Sequence, residues 1–482
     1  MYTCQKADEY IEKNRVDRAD KPEFHLTTPV GWLNDPNGFS IYGGKAHLFY
    51  QFHPYSTEWG PMHWGHSTSD DFIRWEELPT ALAPDSDYDS FGCFSGTAIE
   101  NDGKHVLFYT GVVEEKLADG TKNVIQNQCM AVGDGISYEK ISGNPVVDGK
   151  IMPEECSRAD PKVWKDADGR YYMLAGNRTY DGIPQVVLFS SDDMYNWKFE
   201  SVFAKDETGR FGAVWECPDY FEMDGHKVLI VSPQDMSADG EFHNGNNVVF
   251  FTGDVDEEKH IFKYEKAVSV DSGFDFYAPQ TIRTPDGRRV MIGWMQSWDS
   301  VNTLPRGQKW ACMMSVPREL MISDGKLIQT PVRELCGYRQ NKLVVNDTLR
   351  GEKTYEGING RVIDMTVDIK KAECGHFTMH FAKNEIHETN VSYTPGAQML
   401  EIDRTFAGWI RDTNCVRKVK IKNGNGLSKM RIVMDWNSIE IFVNDGEQVL
   451  STVIYTPRNA QDIVFETDGC VELEVEKYDL NI

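Results

Sequence analysis

The chain has 482 residues, of which 40% are hydrophobic and 12% aromatic, enough apolar material for more than one folded core. Its formal net charge of −25 and its pI near 4.9 argue against nucleic acid or an anionic membrane surface as a partner. The sequence contains no apolar run of about 18 residues or more, so it predicts no membrane span.

The N-terminal residues 1–20 are rich in charge and lack the apolar core of a secretion signal. Residues 9–18 are consistent with a short polar helix. The 10 cysteines are scattered without a dense framework, a pattern typical of reduced and mostly buried thiols. These features predict a cytoplasmic protein; the alternative is a secreted protein whose signal has been removed.

The first prominent motif is residues 32–38 (WLNDPNG), which place one carboxylate, Asp35, among amide side chains and a proline. Pro36 fixes the backbone after Asp35 and favours extended geometry for Asp35 itself. The following Asn37-Gly38 pair is a turn signal. Taken alone, this run indicates an ordinary turn before a strand.

A glycine turn followed by an apolar strand then recurs along the chain. The leading glycines stand at intervals of 59, 66, 56 and 62 residues and are Gly44, Gly103, Gly169, Gly225 and Gly287. Five strand-rich repeats of about 60 residues predict a five-bladed β-propeller in which each repeat forms one four-stranded blade.

The residues nine positions before these glycines predict a functional site. They are Asp35, Phe94, Asp160, Glu216 and Ala278. Equivalent positions of propeller blades surround the central channel at equal depth. The spacing therefore predicts that three carboxylates, from repeats one, three and four, converge near the axis.

The sequence changes its pattern near residue 335. Residues 362–369 and 471–476 alternate apolar and polar side chains, and residues 431–446 indicate a hairpin. Strands with one solvated face predict a β-sandwich. The chain is thus predicted to be all-β, with three parts: a polar N-terminal segment (1–22), a five-bladed β-propeller catalytic domain (23–335) and a C-terminal β-sandwich (336–482).

Paired carboxylates suit cleavage of a glycosidic bond, in which one acid protonates the leaving oxygen and another attacks or stabilises the sugar cation. Glu216 follows Trp215 and precedes Cys217, an apolar setting that raises a carboxyl pKa and favours a general acid. Asp35 is expected to stay ionised and to act as nucleophile, and Asp160 to bind sugar hydroxyls. The competing interpretation is that one or more of these acids merely caps a turn.

Other groups carry weaker signals. His63 and His66, with His53 nearby, lack an acidic or thiol partner at ligand spacing, so no metal site is predicted. Cys217 has no evident histidine partner and is expected to be an inert buried thiol. Aromatic residues near the motifs suit stacking on sugar rings, although each one alone fits core packing as well.

A series of motifs in fixed order covers nearly the whole chain: residues 32–38, Gln51, 59–60, 64–66, 94–96, 160–163, 215–218, 275–280 and 317–320. Together they resemble the motifs of glycoside hydrolase family 32, which contains invertases, sucrose-6-phosphate hydrolases, inulinases and levanases. The resemblance implies a five-bladed propeller followed by a β-sandwich, no metal or organic cofactor, and hydrolysis with retention of configuration.

The resemblance also implies a role for each acid. Asp35 resembles the nucleophile that attacks C2 of a fructosyl unit, Glu216 the acid/base, and Asp160 the stabiliser of the transition state. Retention predicts that the carboxyl groups of Asp35 and Glu216 lie about 5–5.5 Å apart. Positions that match the lining of the family's fructose pocket are Asn34, Gln51, Trp59, Phe94, Ser95 and Trp294.

One position departs from the family pattern. The family's third motif reads Arg-Asp-Pro, but here Ala159 precedes Asp160. In an extended strand the preceding Arg158 faces away from the side of Ala159, so it replaces the missing guanidinium only if a bulge intervenes. The family arginine is expected to bind fructose hydroxyls, so affinity or specificity is expected to differ at this end of the site.

The resulting hypothesis is a cytoplasmic β-fructofuranosidase that acts on a small fructosyl saccharide, either sucrose or sucrose 6-phosphate. The alternative within the family is an exo-fructanase acting on fructo-oligosaccharides, inulin or levan, or a fructosyltransferase. Two rivals lie outside it: an inverting arabinanase or xylosidase type on the same architecture, and a sugar-binding protein without turnover. The oligomeric state, a homodimer included, stays open.

Overall fold

The computed structural model describes residues 2–149, 155–301, 303–422 and 424–482, and the side chains of residues 155–158 lie outside this description. One α-helix, α1 (Cys4–Asn14), precedes the first sheet. Its start is capped by Thr3, whose hydroxyl accepts a hydrogen bond from Lys6 N, and it ends where Arg15 turns to extended geometry. The predicted helix over residues 9–18 is therefore wrong at both ends. Among the described residues, no helix is long and apolar enough to cross a membrane.

Five sheets form the blades of a propeller. Blade one contains β1 (Gly31–Tyr42), β2 (Lys45–His53), β3 (His63–Ser69) and β4 (Glu76–Leu82). Blade two contains β5 (Gly92–Asn101), β6 (Lys104–Lys116), β7 (Lys122–Gly133) and β8 (Tyr138–Lys140). Blade three contains β9 (Glu155–Lys165), β10 (Tyr171–Thr179), β11 (Pro184–Ser191) and β12 (Lys198–Lys205).

Blade four contains β13 (Val214–Met223), β14 (His226–Gln234), β15 (Val249–Asp256) and β16 (Ile261–Ser269). Blade five contains β17 (Tyr277–Arg283) and β18 (Arg289–Trp294) and, after the short β19 (Trp310–Ala311), β20 (Arg318–Ser323) and β21 (Lys326–Pro331). β19 pairs in parallel with the start of β1, so the last repeat is hydrogen-bonded to the first. The five-bladed propeller predicted from the glycine intervals is confirmed, with a fifth strand added to blade one.

The leading glycines of the repeats explain why their intervals report the fold. Each closes the turn between the first and second strands of its blade with a positive φ, between 73° and 89°. Residues with a Cβ adopt this backbone region only at a cost, so glycine is favoured there. Because every blade uses the same turn, the glycine marks each repeat once.

The C-terminal strands form a sandwich around a second apolar core. The strands are β22 (Arg339–Lys353), β23 (Ile363–Glu373), β24 (Phe377–Lys383), β25 (Thr389–Thr394), β26 (Met399–Asp403), β27 (Val416–Lys420), β28 (Lys429–Asp435), β29 (Ser438–Val443), β30 (Gln448–Val453) and β31 (Asp462–Leu480). The long β31 pairs with β24 through its first part and with β23 through its second, so one strand joins the two layers. The predicted sandwich is confirmed.

A buried ionic network joins the propeller to the sandwich. Arg318 of the propeller donates to Asp271 Oδ2 at 3.0 Å and to Glu440 Oε2 of the sandwich at 2.8 Å. His25 lies between Asp435 and Glu440, at 2.9 and 3.0 Å. Burial alone would lower the pKa of His25, but the hydrogen bonds to the two carboxylates outweigh it and raise the pKa to about 9. His25 is therefore protonated at neutral pH and pairs as a cation with Asp435 and Glu440.

Replacement of Arg318 tests this network. We expect Arg318→Met to lower the free energy of unfolding by about 3–5 kcal/mol, because it leaves the buried Asp271 without its cation and Glu440 with His25 alone. Urea denaturation followed by tryptophan fluorescence measures the loss. Lys326→Met is the matched control: its interdomain pair with Glu447 spans 2.8 Å but the lysine side chain is 48% exposed, so the expected loss is below about 1 kcal/mol. Equal losses in the two variants would contradict this account.

Candidate active site

The first strands of three blades bring Asp35, Asp160 and Glu216 together. Cys217, next to Glu216 on β13, donates its backbone N–H to Asp160 Oδ2 at 3.0 Å. Its sulfur lies 3.5 Å from the same oxygen and 3.8 Å from Asp35 Oδ2. Asp35 and Asp160 are each only 8% exposed. The convergence of the three acids that the repeat spacing predicted is thus present in the structure.

The acids do not occupy one equivalent position, however, and on this point the prediction from spacing is wrong. Each of the three first strands carries a bulge. On β13, Glu216 is the last regularly paired residue before the bulge. On β9, Asp160 lies one residue after the last paired residue, and on β1, Asp35 lies two residues after it. Counting residues missed this because the stretch from Pro218 to the next glycine turn is one residue shorter than the stretch from Pro161. A bulge re-aims side chains locally.

The bulges also hold residues other than glycine in left-handed geometry. Asp160, Cys217 and Ala278 have φ values of 60°, 48° and 50°, and each precedes a proline. Such backbone positions are strained for residues with a Cβ and persist where the surrounding structure imposes them. The strain is repeated at one level of three blades, where it turns the side chains towards the shared site.

Asp35 has one carboxylate oxygen held and one free. Ser95 donates its hydroxyl to Oδ2 at 2.8 Å. The buried Oδ1 has no hydrogen-bond partner among the described residues. Burial raises the pKa of Asp35, and the hydrogen bond from Ser95 is the largest opposing effect. A free oxygen on a fixed carboxyl group is what attack on a bound ligand requires.

Glu216 is held by two donors from neighbouring strands. Gln234 Nε2 donates to Glu216 Oε2 at 2.7 Å, and the hydroxyl of Tyr277 lies 2.9 Å from the same oxygen. Burial raises the pKa of Glu216, and the charges of Asp160 and Asp35 raise it further. Within the described part of the chain, no lysine or arginine forms an ion pair with these acids to offset that repulsion. Glu216 is therefore the group that most favours a proton.

Asp160 has few hydrogen-bond donors on its carboxylate and a raised pKa. Its backbone N–H donates to Thr110 Oγ1 at 2.9 Å. Burial first, and then the charge of Asp35, raise the pKa of Asp160. Among the described residues, its carboxylate has one backbone donor and one thiol, both on Oδ2, a sparse set that leaves it capacity to accept hydrogen bonds from a ligand.

The bulge does not separate Arg158 from Ala159. Ala159 pairs with Gly176 and the preceding residue pairs with Asn177 in regular register, while the bulge begins at Asp160. The condition under which Arg158 would replace the family arginine is therefore not met by the backbone. The side chain of Arg158 lies outside the described residues.

The predicted pocket residues differ in their partners and in their burial. Asn34 adjoins Asp35 and accepts a hydrogen bond from Trp32 Nε1 at 2.8 Å, and Gln51 donates to the carbonyl of Cys93 at 2.9 Å. Trp294 is fully buried, 6.0 Å from the ring of Trp32 and 4.8 Å from that of Trp298.

Two aromatic residues mark the outer part of the predicted pocket. Trp59 is 40% exposed and meets the ring of Phe94 edge-on, with ring centroids 5.8 Å apart. Phe91 lies 6.0 Å from Trp59 and 6.1 Å from Phe94. A partly exposed indole beside other rings offers an apolar face on which a sugar ring can stack.

Sequence reasoning missed Gln234 altogether and gave Tyr277 only an aromatic role. Gln234 pairs with Val214 across the blade, a relation that depends on strand register and has no motif. Tyr277 had a signal in the sequence, because it stands two residues before Pro279 as Glu216 stands two residues before Pro218, and the two residues have the same place in their strands. Cys217 is buried, as expected, and burial raises the pKa of its thiol.

Comparison with known families matches the chain in two consecutive parts. Residues 25–331 match the model of the Glycosyl hydrolases family 32 N-terminal domain. Residues 334–480 match the Glycosyl hydrolases family 32 C terminal model. The two matches together span the propeller and the sandwich.

Individual relatives cover most of the chain. A sucrose-6-phosphate hydrolase of Escherichia coli is 34% identical over 94% of this chain and 93% of its own length. A raffinose invertase of Escherichia coli is 35% identical over 95% of this chain and 94% of its own. The structure of a Bombyx mori β-fructofuranosidase variant in complex with sucrose aligns with a TM-score of 0.85 and 32% identity, covering 99% of this chain and 98% of that one. The chain belongs to glycosyl hydrolase family 32.

Proposed function

We propose that this protein is a retaining β-fructofuranosidase that releases the terminal fructosyl unit of sucrose or sucrose 6-phosphate. The observation that carries the proposal is the contrast within one cluster: Asp35 presents a free carboxylate oxygen, while burial and the charges of Asp160 and Asp35 favour the protonated form of Glu216. A nucleophile and an acid side by side are the two parts that retention needs. The names of the relatives supply the substrate class.

In the first step, Asp35 Oδ1 attacks C2 of the fructosyl unit and forms an ester-like bond to it. The bond from C2 to the glycosidic oxygen breaks, and Glu216 gives its proton to that oxygen. In the second step, water attacks C2 and loses a proton to Glu216, and the bond to Asp35 breaks. Both groups return to their starting state.

Asp160 acts on the sugar without bonding to it. Its oxygens accept hydrogen bonds from fructose hydroxyls, and its negative charge stabilises the positive charge that develops on the ring. Asn34, Gln51 and Ser95 supply further polar contacts in this arrangement. With Ala159 in place of the family arginine, the binding of fructose hydroxyls at this end rests on Asp160, and we propose a weaker affinity there.

The predicted pH dependence follows from the direction of the pKa shift. Glu216 must be protonated for the first step, and its pKa is raised above that of an ordinary glutamate. Activity is therefore kept above the usual carboxyl range and is lost when the pH rises through the raised pKa. On the acid side, activity falls when Asp35 or Asp160 takes up a proton, and burial raises the pKa of both.

The remaining features of the proposal concern context. The domain limits 1–22, 23–335 and 336–482 stay a prediction, supported by the change of sheet between Pro331 and Arg339. A cytoplasmic location is supported by the cysteines: all those described are free, and four of them are buried. The oligomeric state, a homodimer included, stays open.

The first prediction is a substrate preference. We expect fructose release from sucrose or sucrose 6-phosphate at rates above those from kestose and inulin, because the proposed substrate is small. Initial rates on the four saccharides, with fructose and transfer products both quantified, measure it. Preference for kestose or inulin would move the protein to the fructanase alternative, and a dominant transfer product would indicate a fructosyltransferase. Release from none of the four would overturn the proposal.

The second prediction separates an enzyme from a sugar-binding protein. We expect Glu216→Gln to lower kcat by about a thousandfold or more, since an amide cannot protonate the leaving oxygen, while sugar binding is largely kept. Fructose release and calorimetric titration with sucrose measure the two effects. Glu222→Gln is the control, because Glu222 is exposed on the same strand, β13. A variant at Glu216 with unchanged turnover would contradict the assignment of the acid.

The third prediction concerns stereochemistry. We expect the first fructose released to have the β configuration of the substrate, because displacement by Asp35 and then by water inverts C2 twice. Proton or carbon NMR recorded in the first minutes, before mutarotation, distinguishes the anomers. The α anomer as first product would indicate the inverting mechanism, in which the two carboxyl groups stand about 6.5–9.5 Å apart rather than about 5–5.5 Å.

A further inference from the structure

A short connecting segment, residues 271–276, leads from β16 into β17 and lies along the sandwich strand β30. Ser272 N donates to Val449 O at 2.8 Å, and Phe274 N donates to Ser451 O at 2.9 Å. The approach is close: a Cβ on Gly273 would stand 2.2 Å from the carbonyl oxygen of Ser451. The segment belongs to the propeller in sequence, but its backbone is hydrogen-bonded to the sandwich.

The C-terminal end of this segment is fixed by a buried ion pair. Arg404 of the sandwich, 2% exposed, pairs with Asp275 Oδ2 and with Asp412 Oδ2, the latter at 2.8 Å. Val453 N donates to Asp275 Oδ2 at 2.8 Å. The guanidinium carbon of Arg404 also lies 4.1 Å above the ring centre of Phe274. Arg404 therefore contacts two of the residues that immediately precede β17.

The same arginine is linked to a second segment of the site. Ser300 Oγ lies 3.3 Å from Asp275 Oδ1, and Val301 N donates to Asp412 Oδ1 at 2.7 Å. These residues follow Trp298, whose ring is stacked 6.3 Å from that of Trp32 beside the acids. One guanidinium thus ties together the segment before Tyr277 and the loop after Trp298.

The connecting segment ends at the hydroxyl that holds the acid. Tyr277 follows Asp275 by two residues, and its hydroxyl lies 2.9 Å from Glu216 Oε2 and 3.0 Å from Ser232 O. Both the tyrosine and Asp275 are almost fully buried. A shift of the segment is transmitted to the hydroxyl, because a packed interior leaves little room for compensation.

Docking of the two domains does not explain why this ion pair is present. Arg318, Asp271 and Glu440 already form an ionic contact between the domains at the start of the segment. A buried ion pair is often no more stabilising than a well-packed apolar replacement, so its retention points to a role in positioning. The contact between Arg404 and Asp275 fits a positioning role, because it holds the C-terminal end of the connecting segment next to β17.

We propose that Arg404 is a positioning residue for the acid/base Glu216: through Asp275 it fixes the connecting segment and thereby the hydroxyl of Tyr277 against the carboxyl group. The inference rests on the proposed function and adds to it that the sandwich takes part in the reaction. Arg404 itself does not contact the reacting atoms.

The groups that face Glu216 define the expected readout. In the part of the chain that the structure describes, they are Asp35 on β1, Asp160 on β9, Cys217 on β13, Gln234 on β14 and Tyr277 on β17. The hydrogen bond from Tyr277 lowers the pKa of Glu216 against the burial that raises it. A displaced hydroxyl therefore raises that pKa and moves the alkaline limb of the pH–rate profile to higher pH.

Three variants and their pH–rate profiles with sucrose or the preferred substrate test the proposal. We expect Arg404→Met to lower kcat by about tenfold with little change in KM, and to shift the alkaline limb upwards. Tyr277→Phe is expected to shift the limb in the same direction. The double variant is expected to shift it no further than Tyr277→Phe alone, because both changes act through one hydrogen bond.

Controls separate positioning from general destabilisation. Lys326→Met removes an exposed interdomain pair that lies near Ser272, at the start of the segment and not at Asp275, and it is expected to leave the pH profile unchanged. If Arg404→Met does not fold, Arg404→Lys keeps a cation but cannot bind both carboxylates in the same way, and it is expected to give a smaller shift of the same sign. Thermal denaturation confirms that each variant is folded at the assay temperature.

The outcomes distinguish this inference from the proposed function. An active wild-type protein with an unshifted alkaline limb in folded Arg404 variants would overturn the positioning role alone, as would additive shifts in the double variant. A wild-type protein that releases no fructose from any substrate would overturn the proposed function first.

Discussion

The mutual repulsion of three buried carboxyl groups is the constraint on which the rest of this structure depends. Asp35, Asp160 and Glu216 lie in one cluster, and burial raises the pKa of each of them. Among the described residues no lysine or arginine pairs with them, and three charges do not persist in such a cluster without a cation, so at least one group keeps its proton. The environment decides which one: Ser95 stabilises the charge on Asp35, while the charges of both neighbours act on Glu216. The division into nucleophile and acid follows from this asymmetry.

Keeping these carboxyl groups close together is unfavourable in free energy, and other interactions of the fold offset this cost. The bulges of the first strands keep Asp160, Cys217 and Ala278 in left-handed geometry, which is also unfavourable. Around them stand the apolar layers between the blades and a second core in the sandwich. The ionic contacts that Arg318 makes between the domains are almost fully buried. A small β-sheet domain with a few interactions would relax under this strain; a closed ring of five sheets braced by a sandwich does not.

The sequence predicted the architecture well because the relevant signals are local. A glycine with positive φ in every first turn makes Gly44 and its counterparts a direct count of blades, and strict alternation along residues 471–476 reports a sheet with one buried face. The convergence of the acids was also predictable from repetition. Their relative depth was missed because residues were counted from the glycine turns, whereas the bulges are marked by prolines, and Pro218 stands one residue closer to its glycine turn than Pro161 does. Gln234 could not be predicted, because its place opposite Val214 depends on strand register and has no motif. The helix α1 was misplaced because its cap, Thr3, lies before the charged run that suggested the helix.

The position of Ala159 in its strand indicates what the missing family arginine would do. Ala159 is the last regularly paired residue before the bulge of β9, the position that Glu216 occupies on β13 and Tyr277 on β17. A guanidinium attached at that level would stand close to the cluster and would lower the pKa of the neighbouring carboxyl groups. Without it, no described cation offsets the repulsion among the three acids, and the proton is held more firmly on Glu216. The departure from the family pattern therefore affects proton transfer as well as sugar binding. With no arginine at this position to lower the pKa of Glu216, the hydrogen bond from Tyr277 has a larger part in lowering it.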